Sequence, residues 1–304
     1  MTLPLSCVLV AAAVFRPDSP VAPPQDSFLV VSVRGKVTAT TMPGSKARVV
    51  HVGDRFGPGT RMRTGYGSSV KLLVGGCRLV AIEERTSRRL ADLETAHDFG
   101  VGGEEARVLR ALERRIGRAG SARAGVEAGV RAASVFEALF PEGTTLSRRP
   151  TFEWVDTDTA GVYECILLRE DFSLLGRFVF PGGLYASGRG DSLLDRGKRY
   201  HWQVVRLRDG ETSNICSFHV LEADTIQAVE AEIEALGRMP GADDTVIGAL
   251  LKAAVYEGRN LRQEAFHAYR EAMQAAPEAT VFRAMLIHYL ADIRLQWVTP
   301  FLIR

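Results

Sequence analysis

At 304 residues the chain exceeds one ordinary core and leaves room for two or three domains. Its 46% apolar and 24% charged residues are those of a folded chain and exclude a disordered one. Lys+Arg 38 against Asp+Glu 36 leaves a net charge of +2, so the field of the whole molecule makes no case for a nucleic-acid partner.

Leu3 to Phe15 is a short apolar run, followed by Arg16 and the Pro-rich stretch PDSPVAPPQD. It resembles the core of an export signal followed by a linker, and is shorter than the roughly 20 apolar residues of an ordinary membrane span. Residues 1–26 are therefore read as export signal and linker, with a buried N-terminal strand as the alternative. The mature chain is expected to begin between Ala13 and Asp26, outside the cytoplasm, with any membrane association indirect. Cys7 leaves with the signal, and Cys77, Cys165 and Cys216 form no CxxC pair and have no His at metal-ligand spacing.

Residues 27–93 are β-rich, with FLVVSVRGKVTAT, ARVVHVGDRF and TRMRTGYGSSVKLLVGGCRLVAIEER as the strand-forming stretches. Gly75-Gly76 suits a two-residue hairpin turn, which sets Val74 against Cys77, Leu72 against Leu79 and Val70 against Ala81. Val33-Arg34-Gly35-Lys36-Val37, Gly53-Asp54 and Arg63-Thr64-Gly65 leading to Ser69-Val70-Lys71-Leu72 resemble the FecR-type domain of bacterial envelope proteins. The pattern departs from that family at Gly75-Gly76-Cys77, where Asp-Gly-Ser is usual. The resemblance implies an extracytoplasmic location and, in regulatory members, transmission of a signal to a membrane partner. Those members carry a cytoplasmic segment and a membrane span ahead of the domain; without them it is expected to be a protein or cell-wall interaction module. The glycines themselves read as turns.

Residues 94–146 shift to Ala, Gly, Arg and Glu and are read as a helix and linker. Val108, Leu109, Leu112 and Ile116 share one helical face, with Gly117 placed to stop the helix. Arg107, Arg110, Arg114, Arg115, Arg118 and Arg123, interleaved with Glu104, Glu105 and Glu113, read as a solvated face. Ala119 to Val130 reads as linker.

Residues 147–222 alternate in short runs broken by Gly, Asp and Pro, the pattern of a β-sandwich. Period-two spacing puts Phe152 and Trp154 on one face, then Tyr163, Cys165 and Leu167, then Tyr200, Trp202 and Val204, then Phe218 and Val220. Cys165 and Cys216 are expected as buried free thiols on strands separated by the Tyr200 strand. The phrases LFPEGTTLSRRPTFEW, Tyr200-His201-Trp202 and Ser217-Phe218-His219-Val220 are similar to fibronectin-III-like or immunoglobulin-like modules. A turn centred on Gly210 would set His201 opposite His219, with Glu164 on a neighbouring strand as the nearest third ligand. A closed zinc site wants four ligands, so the pair reads as two exposed imidazoles and no metal residues are assigned.

Residues 223–304 read as helical. Asp224 is placed to cap a first helix carrying Ile226, Val229, Ile233 and Leu236, which Gly237 ends. Ala253, Tyr256, Ala265, Tyr269, Ala272 and Pro277 resemble about one tetratricopeptide repeat, with Tyr256 and Tyr269 filling the gap between paired helices. Val281, Met285, Leu286, Tyr289 and Ile293 stripe a further helix. Pro300 turns the apolar tail Trp297 to Ile303 back across the bundle or the sandwich.

The expected fold class is thus multi-domain β plus α: a FecR-like β domain, a β-sandwich and a TPR-like helical bundle. No Ser/His/Asp or Cys/His arrangement can be argued, and Gly100 to Gly103 lacks the Lys and the preceding strand of a phosphate loop. No catalytic or cofactor-binding residues are assigned. The reading is a non-catalytic scaffold that holds a protein or glycan partner in the cell envelope. Its alternative is a regulator passing an envelope signal to a membrane partner, with a hydrolase using Asp or Glu in an unrecognised cleft as a third.

Overall fold

The computed structural model describes residues 27–41, 44–75, 78–94, 103–121, 135–157, 161–182, 185–190, 193–239 and 242–302. Residues 1–26, read as export signal and linker, and Cys77 lie outside them; of the stretch 119–130 read as linker, 119–121 are helical and the rest lies outside the described residues. Several antiparallel sheets and a set of helices make up the described chain.

The first unit runs through β1 (Phe28–Arg34), β2 (Val37–Thr40), β3 (Arg48–Val49), β4 (Arg55–Phe56), β5 (Arg61–Thr64), β6 (Ser69–Val74), β7 (Arg78–Ile82), β8 (Ser87–Arg89) and the short helix α1 (Ala91–Glu94). Its two sheets have the orders β4–β1–β6–β7 and β3–β2–β5–β8. Phe28, Val30, Val37, Met62 and Leu72 share the core of this unit. Leu29, Val31, Leu73 and Leu79 belong to a different core, built mostly from helices. The continuous apolar run at the start of β1 is thus a strand buried on both faces. Gly35 joins β1 to β2 at φ +69°, where a Cβ would lie 2.4 Å from Ser68 Oγ. The turn therefore needs glycine on both counts.

Leu72 pairs with Val80 and Leu73 with Leu79, one position away from the predicted hairpin register. Val74 pairs with Arg78 in place of the expected Cys77. Because β6 and β7 each place apolar residues on both faces, alternation alone did not fix their register.

Helix α2 (Gly103–Ser121) buries Val108, Leu109, Leu112 and Ile116, but it continues through Gly117 instead of stopping there. A Cβ on Gly117 would sit 2.9 Å from Arg55 Nη2, so the glycine lets that side chain cross the helix. The solvated-face reading fails at Arg115, which is 6% exposed. Its Nη1 donates to Asp292 Oδ2 at 2.5 Å, and its Nη2 pairs with Glu257. Buried Glu113 accepts from Arg55 Nη1 at 3.1 Å. The physical reason is position: α2 packs on the C-terminal helices while its other flank meets the first unit, so both polar flanks need partners.

The second unit comprises β9 (Phe136–Phe140), β10 (Gly143–Thr145), β11 (Thr151–Asp156), β12 (Gly161–Arg169), β13 (Leu174–Gly182), β14 (Tyr185–Arg189), β15 (Arg199–Arg206) and β16 (Cys216–Val220). β9 and β10 come from the stretch read as helix and linker. The sheets β10–β16–β15–β12–β13 and β14–β11–β9 are antiparallel except at the β10–β16 pair. Between them lie Phe152, Trp154, Tyr163, Cys165, Trp202 and Phe218. Cys165 and Cys216 are free and buried, with β15 between their strands. Burial pushes the Cys165 thiol well above its ordinary value and the Cys216 thiol up to about 12, so neither is a ready nucleophile. Where β13 meets β14, the rings of Phe180 and Phe178 occupy the space that Cβ atoms on Gly188 and Gly190 would take.

The C-terminal unit contains α3 (Ala223–Gly237), α4 (Thr245–Gly258), α5 (Arg262–Ala275), α6 (Thr280–Asp292), a 3₁₀ turn at Gln296–Val298 and α7 (Thr299–Leu302). Glu222, not Asp224, is the N-cap of α3 and makes no side-chain cap bond; Asp224 sits in the first turn, favoured there by the helix dipole. Asp244 does cap α4, accepting from Val246 N and Ile247 N. The tail folds back: Val298 is fully buried, and Trp297 and Phe301 pack on the helical core. Among the described residues no helix is long and apolar enough to cross a membrane.

One apolar core runs through all of these parts. It joins Leu29 and Leu73 of the first unit, Leu109 and Ile116 of α2, Phe140 and Val155 of the second unit, and α3 to α6. The rings of Phe140 and Phe266 stack at 5.1 Å across one junction. At the other, Ser32 Oγ donates to Asp244 Oδ2 at 3.0 Å.

Candidate binding cleft

The two histidines are not set opposite each other, and His201 is not the exposed imidazole expected. His201 pairs with Ser217, and His219 with Arg199, two positions from the predicted register. The turn is the cause. Buried Arg206 binds Asp156 at 2.9 Å and Asp209 at 3.1 Å, and also pairs with Glu211, folding residues 206–211 around its guanidinium. A two-residue shift keeps every side chain on its predicted face, so the core is right while the histidines part. His201 is buried, its ring stacked on Phe172 at 4.2 Å and its Nδ1 2.7 Å from Ser217 Oγ. Glu164 is engaged by Arg177 at 2.7 Å. Among the described residues no group of three His, Cys, Asp or Glu is placed to hold a metal ion.

A different set of polar groups converges where the second unit meets the helices. The cleft has a volume of about 360 Å³. One wall carries Lys252 and Tyr256 from α4 with Gln263, Glu264, His267 and Glu271 from α5. Thr145, Ser147, Arg149, Thr151 and Arg189 form the other. On α5 the apolar positions Ala265, Phe266, Tyr269 and Ala272 are buried, which turns the polar stripe 263, 264, 267 and 271 toward the strands. Tyr269 fills the gap between helices as expected from its spacing, whereas Tyr256 is half-buried on the cleft wall.

Two carboxylates organise the junction. Glu153 on β11 is 1% exposed and accepts from Tyr185 Oη at 2.6 Å, Gln263 Nε2 at 3.2 Å and His267 Nε2 at 2.6 Å. Burial and the neighbouring Glu153 hold the Tyr185 hydroxyl well above its ordinary range. Glu264 Oε1 accepts from Thr145 Oγ1 and Leu146 N, both at 2.8 Å. Its Oε2 is buried and receives no hydrogen bond from any described residue. Burial raises the Glu264 carboxyl. Such a group favours a donor, because a buried carboxylate oxygen without a partner carries its full desolvation cost.

Sequence reasoning passed over Glu153, Gln263, Glu264 and His267. The available signal was the polar stripe on α5 and a Glu between Phe152 and Trp154; neither names its partner across more than a hundred residues. A comparison with protein-family models finds no match, and a comparison with curated proteins finds none.

Proposed function

We propose that this chain is a non-catalytic binding or scaffold protein of the cell envelope that holds a protein or glycan partner. The observation that carries the reading is the cleft between the second unit and the helices, lined by groups from both. Binding sites favour such junctions, and a shared core fixes these walls without a partner. The motif resemblances support it: residues 27–93 as a FecR-type module, 147–222 as a fibronectin-III-like or immunoglobulin-like module, and 223–304 as a tetratricopeptide-like segment. On this reading the chain is exported and the buried thiols are structural.

A regulator that passes an envelope signal onward is the second reading, and α4 favours it. Its N-cap Asp244 binds Ser32 of the first unit, while Lys252 and Tyr256 farther along the same helix line the cleft. Occupancy of the cleft would bear on the first unit through one rigid element. Cell fractionation combined with in-cell crosslinking tests both: a defined envelope adduct supports the binding reading, and an adduct with a membrane sensor favours the regulator. A cytoplasmic chain that crosslinks to nothing would overturn both.

A further inference from the structure

We infer that the cleft takes a small zwitterion of the α-amino acid type, at amino acid or dipeptide size, with its ammonium on Glu264 and its carboxylate among Arg149, Arg189 and Lys252. The inference rests on the binding reading above and names the ligand class of that site.

Glu264 supplies the first half. Thr145 and Leu146 hold Oε1 from the second unit, so the carboxylate is fixed before any ligand arrives. Its buried Oε2 is left to accept one more hydrogen bond. An ammonium provides both the donor and the charge, and charge-assisted bonds to a fixed carboxylate are the strong ones. Glu271 lies seven residues along α5, about 10 Å away at helical rise, and adds to the negative side.

The cations supply the second half. Arg149 and Arg189 line the wall opposite the helices, linked by a bond from Arg189 Nε to the Arg149 carbonyl at 3.1 Å. Lys252 reaches the cleft from α4. A simple amine would satisfy Glu264 and meet three like charges; a simple anion would meet the buried carboxylate. A molecule carrying both charges a few bonds apart meets neither penalty. The volume of about 360 Å³ lies at the small end of ligand sites, which fits one or two residues and not a long chain.

Calorimetric titration of the purified full chain with glycine, L-alanine and L-alanyl-L-alanine tests this, with ethylamine and acetate as single-charge probes. The expected result is saturable binding of at least one zwitterion, and binding of ethylamine and acetate weaker by about tenfold or more. Glu264→Gln keeps an oxygen for Thr145 and Leu146 and places an amide donor toward the ammonium, so affinity should drop at least about tenfold. Lys252→Met, on a helix surface, should weaken the zwitterions and, by removing one of the three like charges, bind ethylamine more tightly than the parent does. Equal binding to Glu264→Gln, equal binding of ethylamine or acetate, or no binding of any probe would overturn the inference. The titration uses no cellular partner, so its failure leaves the scaffold reading standing, and a failed crosslinking search leaves the titration intact.

Discussion

Burial raises the Glu264 carboxyl above its ordinary value near 4.5, against opposing hydrogen bonds from Leu146 and Thr145. A carboxyl with a raised folded value makes the folded state bind more protons than the unfolded chain. Its contribution is therefore most favourable at low pH and is lost as pH rises through the folded value. Glu264→Gln removes that titration, so the fall in melting temperature between about pH 4 and about pH 7 should be smaller in the variant than in the parent. Identical slopes in the two proteins would show that Glu264 does not titrate as its burial implies. Trp202 is the opposite kind of residue, fully buried and anchored by a bond from its Nε1 to the Pro141 carbonyl at 2.9 Å. Trp202→Ala should cost about 3–5 kcal/mol in urea unfolding, the range for large aromatic truncations. Trp202 was legible in the sequence because alternation marks it as inward-facing. Glu264 was not, because its environment is set by strands that precede it by about 120 residues.

At the scale of elements, α2 shows where a sequence pattern is read correctly and its surroundings are missed. Its apolar stripe was plain from the spacing of Val108, Leu109, Leu112 and Ile116, yet the charges beside that stripe look the same whether water or Glu257 and Asp292 receive them. Ile116 is fully buried in the shared core. Ile116→Ala should cost about 2–5 kcal/mol and lower the melting of the first unit and the helices together. A loss confined to the helices, seen by hydrogen exchange, would mean the junction is loose. The hairpins teach a related lesson: β15 and β16 kept their faces through a two-residue shift, while β6 and β7, apolar on both sides, slipped by one. The tail beyond α6 covers the bundle through Trp297, Val298 and Phe301. Deleting Gln296 to Arg304 should expose that patch and cause self-association by light scattering, with the β units still folded. A monodisperse truncation with unchanged melting would free the tail for a partner.

At the scale of the molecule, each β unit has a core of its own and also lends residues to the shared one, with Leu139, Phe140 and Val155 coming from the second unit. The second has a core of its own between its sheets. A fragment spanning 135–222 should therefore melt cooperatively in isolation, as circular dichroism would show. The first unit has a core too, but Leu29, Val31, Leu73 and Leu79 are buried only against the rest of the chain. A fragment spanning 27–94 should bind a hydrophobic dye and aggregate, and a soluble monomer that ignores the dye would contradict the shared core. The same arrangement constrains synthesis. The outer face of β1 finds its cover in helices some 200 residues further along the chain, a delay of roughly 10–40 s at ordinary elongation rates. Until those helices emerge, the nascent chain shows an apolar sheet face of the kind that holdase chaperones grip.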